Sequence, residues 1–79
     1  MTLTILYFAQ LAEERGAAQE RLTGDYADLA ALYNALHAQH HFGLAQNQLR
    51  VARNQMFAEW TDAPQDGDEI AFIPPVSGG

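Results

Sequence analysis

Leu29, Leu32, Tyr33 and Leu36 fall at i, i+3, i+4 and i+7, so a helix through them carries one continuous apolar stripe. Such a stripe must be buried against another layer. The segments on either side alternate in the manner of strands, so the partner layer is expected to be a sheet. Asp25 or Asp28 stands where an N-cap is needed, and either carboxylate suits the positive end of the helix dipole. The helix is expected to end near His41, with Gly43 terminating it.

Leu3, Ile5 and Tyr7 alternate with Thr2, Thr4, Leu6 and Phe8, which predicts a first strand over about residues 2–9. A short helix is expected over Gln10–Arg15, stopped by Gly16, and a brief polar strand over Gln19–Thr23. Beyond the long helix, residues 49–53 and 56–60 read as two strands joined by a turn at Asn54-Gln55. A loop through Pro64 and Gly67 leads to a last strand over Glu69–Ile73. The order is strand, short helix, strand, long helix, strand, strand, strand. This predicts an α+β fold: a mixed sheet of about five strands on one main helix.

Strand parity assigns the two sheet faces. Leu3, Ile5, Tyr7, Leu49, Val51, Ile70 and Phe72 are expected to join the helix stripe in the core. Leu6, Phe8, Ala71 and Ile73 then point outward, with Phe57 a further outward candidate. Apolar residues gathered on one exposed face mark an interface. Arg50 and Arg53 either frame that patch or sit in water.

Composition excludes several functions. Nearly half the residues, 48%, are apolar, too many for a disordered chain. There is no Cys, so disulfides, zinc–thiolate sites and cysteine nucleophiles are ruled out. The net charge of −6 leaves no basic stripe for nucleic acid and suits a partner with a basic pocket. The apolar runs fall well short of the ~20 residues that cross a bilayer. No signal-peptide pattern opens the chain. A cytoplasmic protein with no membrane contact is expected. His37, His40 and His41 cluster near the helix end. His37 and His41 stand at the i, i+4 spacing of a metal pair, but no third ligand of the right kind lies near in sequence. Imidazoles solvated at a helix C-terminus are the expectation, and no metal. Asp66, Asp68 and Glu69 lack the spacing of a calcium loop and are read as the turn into the last strand.

The C-terminal run Pro74-Pro75-Val76-Ser77-Gly78-Gly79 follows the last strand directly. Proline ends sheet pairing, and glycines can thread a narrow channel closed to residues with side chains. From Val76 onward, four residues reach roughly 14 Å at about 3.4 Å each. Residues 1–75 are thus expected to form the domain and 76–79 a flexible tail that delivers the Gly79 carboxylate to a partner.

The stretch Ile5-Leu6-Tyr7-Phe8-Ala9-Gln10-Leu11, the central Arg53-Asn54-Gln55, and the closing Asp66-Gly67-Asp68-Glu69 through Gly78-Gly79 resemble the small, sulfur-carrier subunits of molybdopterin synthase. The resemblance implies a ubiquitin-like β-grasp fold. It also implies that an ATP-dependent activating enzyme adenylates Gly79 and converts it to a thiocarboxylate. The sulfur then passes to a pterin precursor held by the large catalytic subunit, in a heterotetramer of two small and two large subunits. By this resemblance Gly78 and Gly79 carry the chemistry. Phe8, Phe57 and Ile73 of the outer face, with Pro74, Pro75, Val76 and Ser77, are expected to bind the partner, and the chain alone is expected to bind no cofactor and to have no activity. A sulfur carrier for thiamine synthesis, a ubiquitin-like protein modifier and a plain interaction module remain as alternatives.

Overall fold

A computed structural model describes residues 1–75. The chain forms β1 (Thr2–Tyr7), α1 (Gln10–Arg15), β2 (Gln19–Thr23), α2 (Leu29–His40), a 3-10 turn (Gln46–Gln48), β3 (Arg50–Arg53), β4 (Met56–Phe57) and β5 (Glu69–Ile73). The strands make one sheet in the order β2-β1-β5-β3-β4. Its two terminal strands, β1 and β5, lie side by side and parallel, and every other pair is antiparallel. The expected α+β architecture is therefore present: a mixed sheet with α2 across one face.

The stripe on α2 explains the core. Leu29, Leu32, Tyr33 and Leu36 are all buried, against Leu3, Ile5 and Tyr7 of β1, Val51 of β3, and Ile70 and Phe72 of β5. Each such side chain contributes roughly 1.5–3 kcal/mol on leaving water. Phe72 sits between Tyr33 (centroids 5.0 Å apart) and Trp60 (6.1 Å, stacked). Leu11 and Phe42 also belong to this core. Neither follows from strand parity or from the stripe, because Leu11 lies on the short α1 and Phe42 beyond the end of α2.

Several boundaries differ from the sequence expectation, each for a physical reason. β1 ends at Tyr7, because Ala9 takes φ 50° and turns the chain into α1. Asp28, not Asp25, caps α2, accepting the N–H of Ala31 at 2.8 Å, while Asp25 faces the N-terminal ammonium. His41, not Gly43, ends α2, with φ 56° and its N–H on His37 O. Gly43 instead donates its N–H to Glu14 Oε1 of α1 at 3.1 Å. The strand expected over 56–60 stops at Phe57. The carbonyls of Trp60 and Asp62 are drawn away to accept the N–H groups of Ala30 and Leu29 in the first turn of α2.

Candidate functional site

The sheet face away from α2 follows from register. Leu6 of β1 stands opposite Ala71 of β5, Ala71 opposite Ala52 of β3, and Ala52 opposite Phe57 of β4. These four side chains therefore form one row across the sheet. In the neighbouring row Arg50 faces Ile73, and Phe8 continues β1 at the same end. The two alanines are small enough to leave a hollow of about 220 Å³, walled by Leu6, Phe8, Phe57 and Ile73. Gln55 and Glu69 stand at its polar margin.

The exposure of this face is large for a small domain, with Phe8 46% and Phe57 62% accessible. Met56 is also exposed, but it pairs with Arg53 and so has the opposite parity. Of the residues expected to bind a partner, Phe8, Phe57 and Ile73 are brought together here. Pro74 and Pro75 follow Ile73 directly, Pro74 half-buried and Pro75 exposed. Because β5 runs parallel to β1, its C-terminal end emerges beside Phe8. Val76, Ser77, Gly78 and Gly79, and with them the expected tail, lie outside the described residues.

Sequence reasoning missed the part played by Ala52 and Gln55, and it left open whether Arg50 frames the patch, which the structure shows it does. The Arg50 guanidinium carbon lies 3.8 Å from the Phe57 ring centroid. The parity of Arg50 with Ala52, two positions on, is the signal that assigns it to this face. Arg53 has the other parity and donates to Ala63 O at 3.1 Å, so it does not frame the patch.

The other candidate features are structural. Asp66 Oδ1 accepts the N–H of Thr2 at 2.7 Å, and Asp68 Oδ2 accepts that of Gln65 at 2.9 Å. The acidic run thus ties the lead-in of β5 to β1. Among the described residues no group of three or more His, Asp or Glu is arranged to hold a metal ion. His40 departs from the expectation of a solvated imidazole: it packs on Phe42, and its Nε2 is buried 3.9 Å from Glu20 Oε1. Glu20 is already engaged, accepting from Tyr7 Oη at 3.0 Å and from Arg15 Nε at 2.8 Å. Burial, and then the bond to Glu20, push the Tyr7 phenol far above its ordinary value. Burial also pushes the Tyr33 phenol up to about 12. Neither phenol faces the apolar hollow, so both belong to the core rather than to the site.

A sheet wrapped on one helix, with an apolar outer face beside the C-terminal strand end, defines a ubiquitin-like β-grasp domain. Its structure superposes on SAMP1 from Haloferax volcanii with a TM-score of 0.82, at 31% identity over the whole of both chains. Residues 5–79 match the ThiS family. The molybdopterin synthase sulfur carrier subunit of Escherichia coli (strain K12) is 34% identical over 80 residues, covering 98% of this chain and 99% of that one. The human subunit of the same name is 40% identical over 81 residues, covering 95% and 91%. The chain belongs to the ThiS family and groups there with the molybdopterin synthase sulfur carrier subunits. Subunit 1 or 2 of a molybdopterin-converting factor complex from Helicobacter pylori shares the fold, with a TM-score of 0.71 at 21% identity. Among the described residues no helix is long and apolar enough to cross a membrane.

Proposed function

We propose that this chain is the sulfur carrier of molybdopterin biosynthesis, acting in the cytoplasm as the small subunit of molybdopterin synthase. The observation that carries the reading is the placement of Ile73 and Pro74: β5 hands the chain onward at the margin of an exposed apolar face. A partner seated on that face receives whatever follows Pro75. Residues 1–75 then serve as the docking domain, and 76–79 as the tail that enters the partner's active site.

A carboxylate is a poor electrophile, being resonance-stabilised and negatively charged at neutral pH. In the proposed sequence a Gly79 carboxylate oxygen attacks the α-phosphorus of ATP on an activating enzyme, expelling pyrophosphate. A sulfide-level sulfur nucleophile then displaces AMP from the acyl-adenylate and leaves a thiocarboxylate. In the large subunit the thiocarboxylate sulfur bonds to a carbon of the pterin precursor in place of an oxygen substituent. Water then cleaves the resulting thioester at its acyl carbon, so that the sulfur stays on the pterin and the Gly79 carboxylate is returned. One dithiolene needs two sulfurs, so two charged carriers are consumed per product. ATP is used by the activating enzyme and not held by this chain. The Helicobacter pylori relative of like fold was solved as a complex of subunits 1 and 2, which supports a large-subunit partner. A heterotetramer of two small and two large subunits is the proposed assembly.

A second reading, a protein modifier joined through Gly79, is supported by the likeness to small archaeal modifier protein 1 from Haloferax volcanii (TM-score 0.79, 29% identity). Intact mass after incubation with the activating enzyme, ATP and a sulfur source separates the two. Thiocarboxylation adds about 16 Da, whereas conjugation gives high-mass adducts. Deleting Gly79 is expected to abolish the mass gain and the sulfur transfer while leaving the melting temperature unchanged. A truncated chain that still transfers sulfur would overturn the carrier reading.

A further inference from the structure

The geometry points to Arg50 as the residue that selects the partner: the surface docking on the apolar face carries a carboxylate opposite its guanidinium. This inference rests on the large subunit of molybdopterin synthase being the partner. The Arg50 guanidinium carbon lies over the Phe57 ring, 3.8 Å from its centroid, and Arg50 stands opposite Ile73 in the β3–β5 pair. It is therefore a cation set between two of the most prominent apolar side chains of the face.

The arginines of this chain are not equivalent. Arg15 is bonded to Glu20, and Arg53 donates to Ala63 O and lies 3.9 Å from Asp68. Among the described residues the side chains of Arg21 and Arg50 make no ion pair and no hydrogen bond. Of these two Arg50 lies on the apolar face, whereas Arg21 stands on β2 beside Thr2, Thr4 and Asp66. Stacking on Phe57 occupies one face of the guanidinium, and the N–H groups at its edge, unbonded among the described residues, keep the fork that matches a carboxylate. Stacking also holds the side chain in place before docking, which lowers the entropy lost when a second group binds it.

Any partner that covers Phe57 also strips water from Arg50. A desolvated cation without a counter-charge is strongly unfavourable, and removing one member of such a pair costs more than the pair itself contributes. An interface that uses this face must therefore answer Arg50 with an acceptor, and a carboxylate answers it best. The chain as a whole carries net charge −6, so long-range attraction favours a basic partner. A single acidic group opposite Arg50 runs against that general field. It therefore fixes the register of docking and penalises a partner that offers only apolar and basic surface.

The test is calorimetric titration of the full chain into the recombinant large subunit at low and high salt. Three variants are compared: Arg50→Met, Arg50→Lys and Phe57→Asp. Arg50→Met keeps the length and apolar surface of the side chain and removes its charge. It is expected to weaken binding by about tenfold or more, in the range of an interface hot spot. The loss should persist at high salt, because a close ion pair covered by an interface is screened far less than exposed charges. Arg50→Lys keeps the charge but not the planar fork, and should fall between Arg50→Met and the parent. All three variants should melt like the parent, since Arg50 and Phe57 are exposed. An Arg50→Met variant that binds as tightly as the parent overturns the inference, and so does one whose loss disappears at high salt. Phe57→Asp separates this failure from failure of the docking reading. If it weakens binding while Arg50→Met is neutral, only the carboxylate is lost; if both are neutral, the large subunit docks elsewhere.

Discussion

The side chain of Asn54 grips the lead-in of β5 at Glu69: its Oδ1 accepts the main-chain N–H of Glu69 at 2.9 Å. Its Nδ2 donates to Asp68 Oδ1 at 3.0 Å, and its own N–H donates to Glu69 O at 2.8 Å. The two most distinctive motifs of the chain, around Asn54 and around Asp68, are thus one structure. Gly67 completes it with φ 87° and an N–H bond to Thr2 O. These bonds set where β5 begins, and hence which of its residues face outward. The acidic motif serves the site at a distance, by fixing the register of the strand that carries it.

Asn54→Ala is therefore expected to lower stability by about 1–3 kcal/mol, through two lost side-chain bonds and an alanine forced to positive φ. Asn54→Gly loses the same bonds but tolerates the φ of 52°. Urea denaturation of both should rank the parent above Asn54→Gly and Asn54→Gly above Asn54→Ala. Equal stability of all three would show that the clamp contributes nothing.

Gln55 also lies at positive φ, 71°, directly after Asn54. A two-residue hairpin turn of this hand favours Asn-Gly, so Gln at the second position is strained. Gln55→Gly should raise stability by about 0.5–1 kcal/mol if relief of strain outweighs the added freedom of the unfolded chain. A lower urea midpoint for Gln55→Gly would mean that the Gln55 side chain itself contributes to the fold.

Phe72→Ala tests the core side of the same register. Phe72 is fully buried between Tyr33 and Trp60. Truncating it should cost roughly 3–5 kcal/mol, a large part of what holds a domain this small together. A variant that melts like the parent would contradict the register assigned here to β5.

The two buried phenols give a pH dependence with a definite sign. Both Tyr7 and Tyr33 ionise at higher pH when folded than in the unfolded chain, chiefly because of burial. Above about pH 10 the unfolded chain has shed protons that the native chain still holds, so stability falls as pH rises. The contribution is complete below about 10 and is lost through about 12 for Tyr33 and higher for Tyr7. Melting temperatures should drop steeply above about pH 10, and less steeply in a Tyr7→Phe, Tyr33→Phe double variant. An equal drop in both chains would assign the alkaline loss to other groups.

Much of this was legible from the amino acids because the fold repeats one simple signal. Alternation at Leu3, Ile5 and Tyr7 and at Ile70 and Phe72, with the stripe at Leu29, Leu32, Tyr33 and Leu36, places the core and by subtraction the outer face. What escaped depends on contacts distant in sequence. β4 is cut short by bonds from Trp60 and Asp62 to α2, which no local pattern announces. His41 ends the helix in a left-handed conformation that glycine more often supplies, and Phe42 enters the core from the loop that follows. Ala52 and Ala71 matter for the room they leave, and small residues carry no hydrophobic signal strong enough to single them out. The stacking of Arg50 on Phe57 requires β3 and β4 to be paired before it exists.

The division of labour between domain and tail yields the last expectation. Phe8 and Ile73 border the hollow on the face opposite α2, so Phe8→Asp and Ile73→Asp should leave the isolated domain folded. Each places an unpaired charge in what becomes an apolar interface, and should weaken binding to the large subunit substantially. A free peptide of residues 74–79 tests the complementary half. Fixing any chain in an extended channel costs about 1–2 kcal/mol per residue in backbone entropy. Two of its six residues are glycines, which offer no side chain to offset that loss. The peptide should therefore bind far more weakly than the whole chain, because it lacks the apolar face formed by Leu6, Phe8, Phe57 and Ile73. Competition between labelled whole chain and unlabelled peptide measures the difference directly. Equal affinity of peptide and whole chain would show that the sheet face is not the recognition element; unchanged affinity in both aspartate variants would move the interface to another side of the domain.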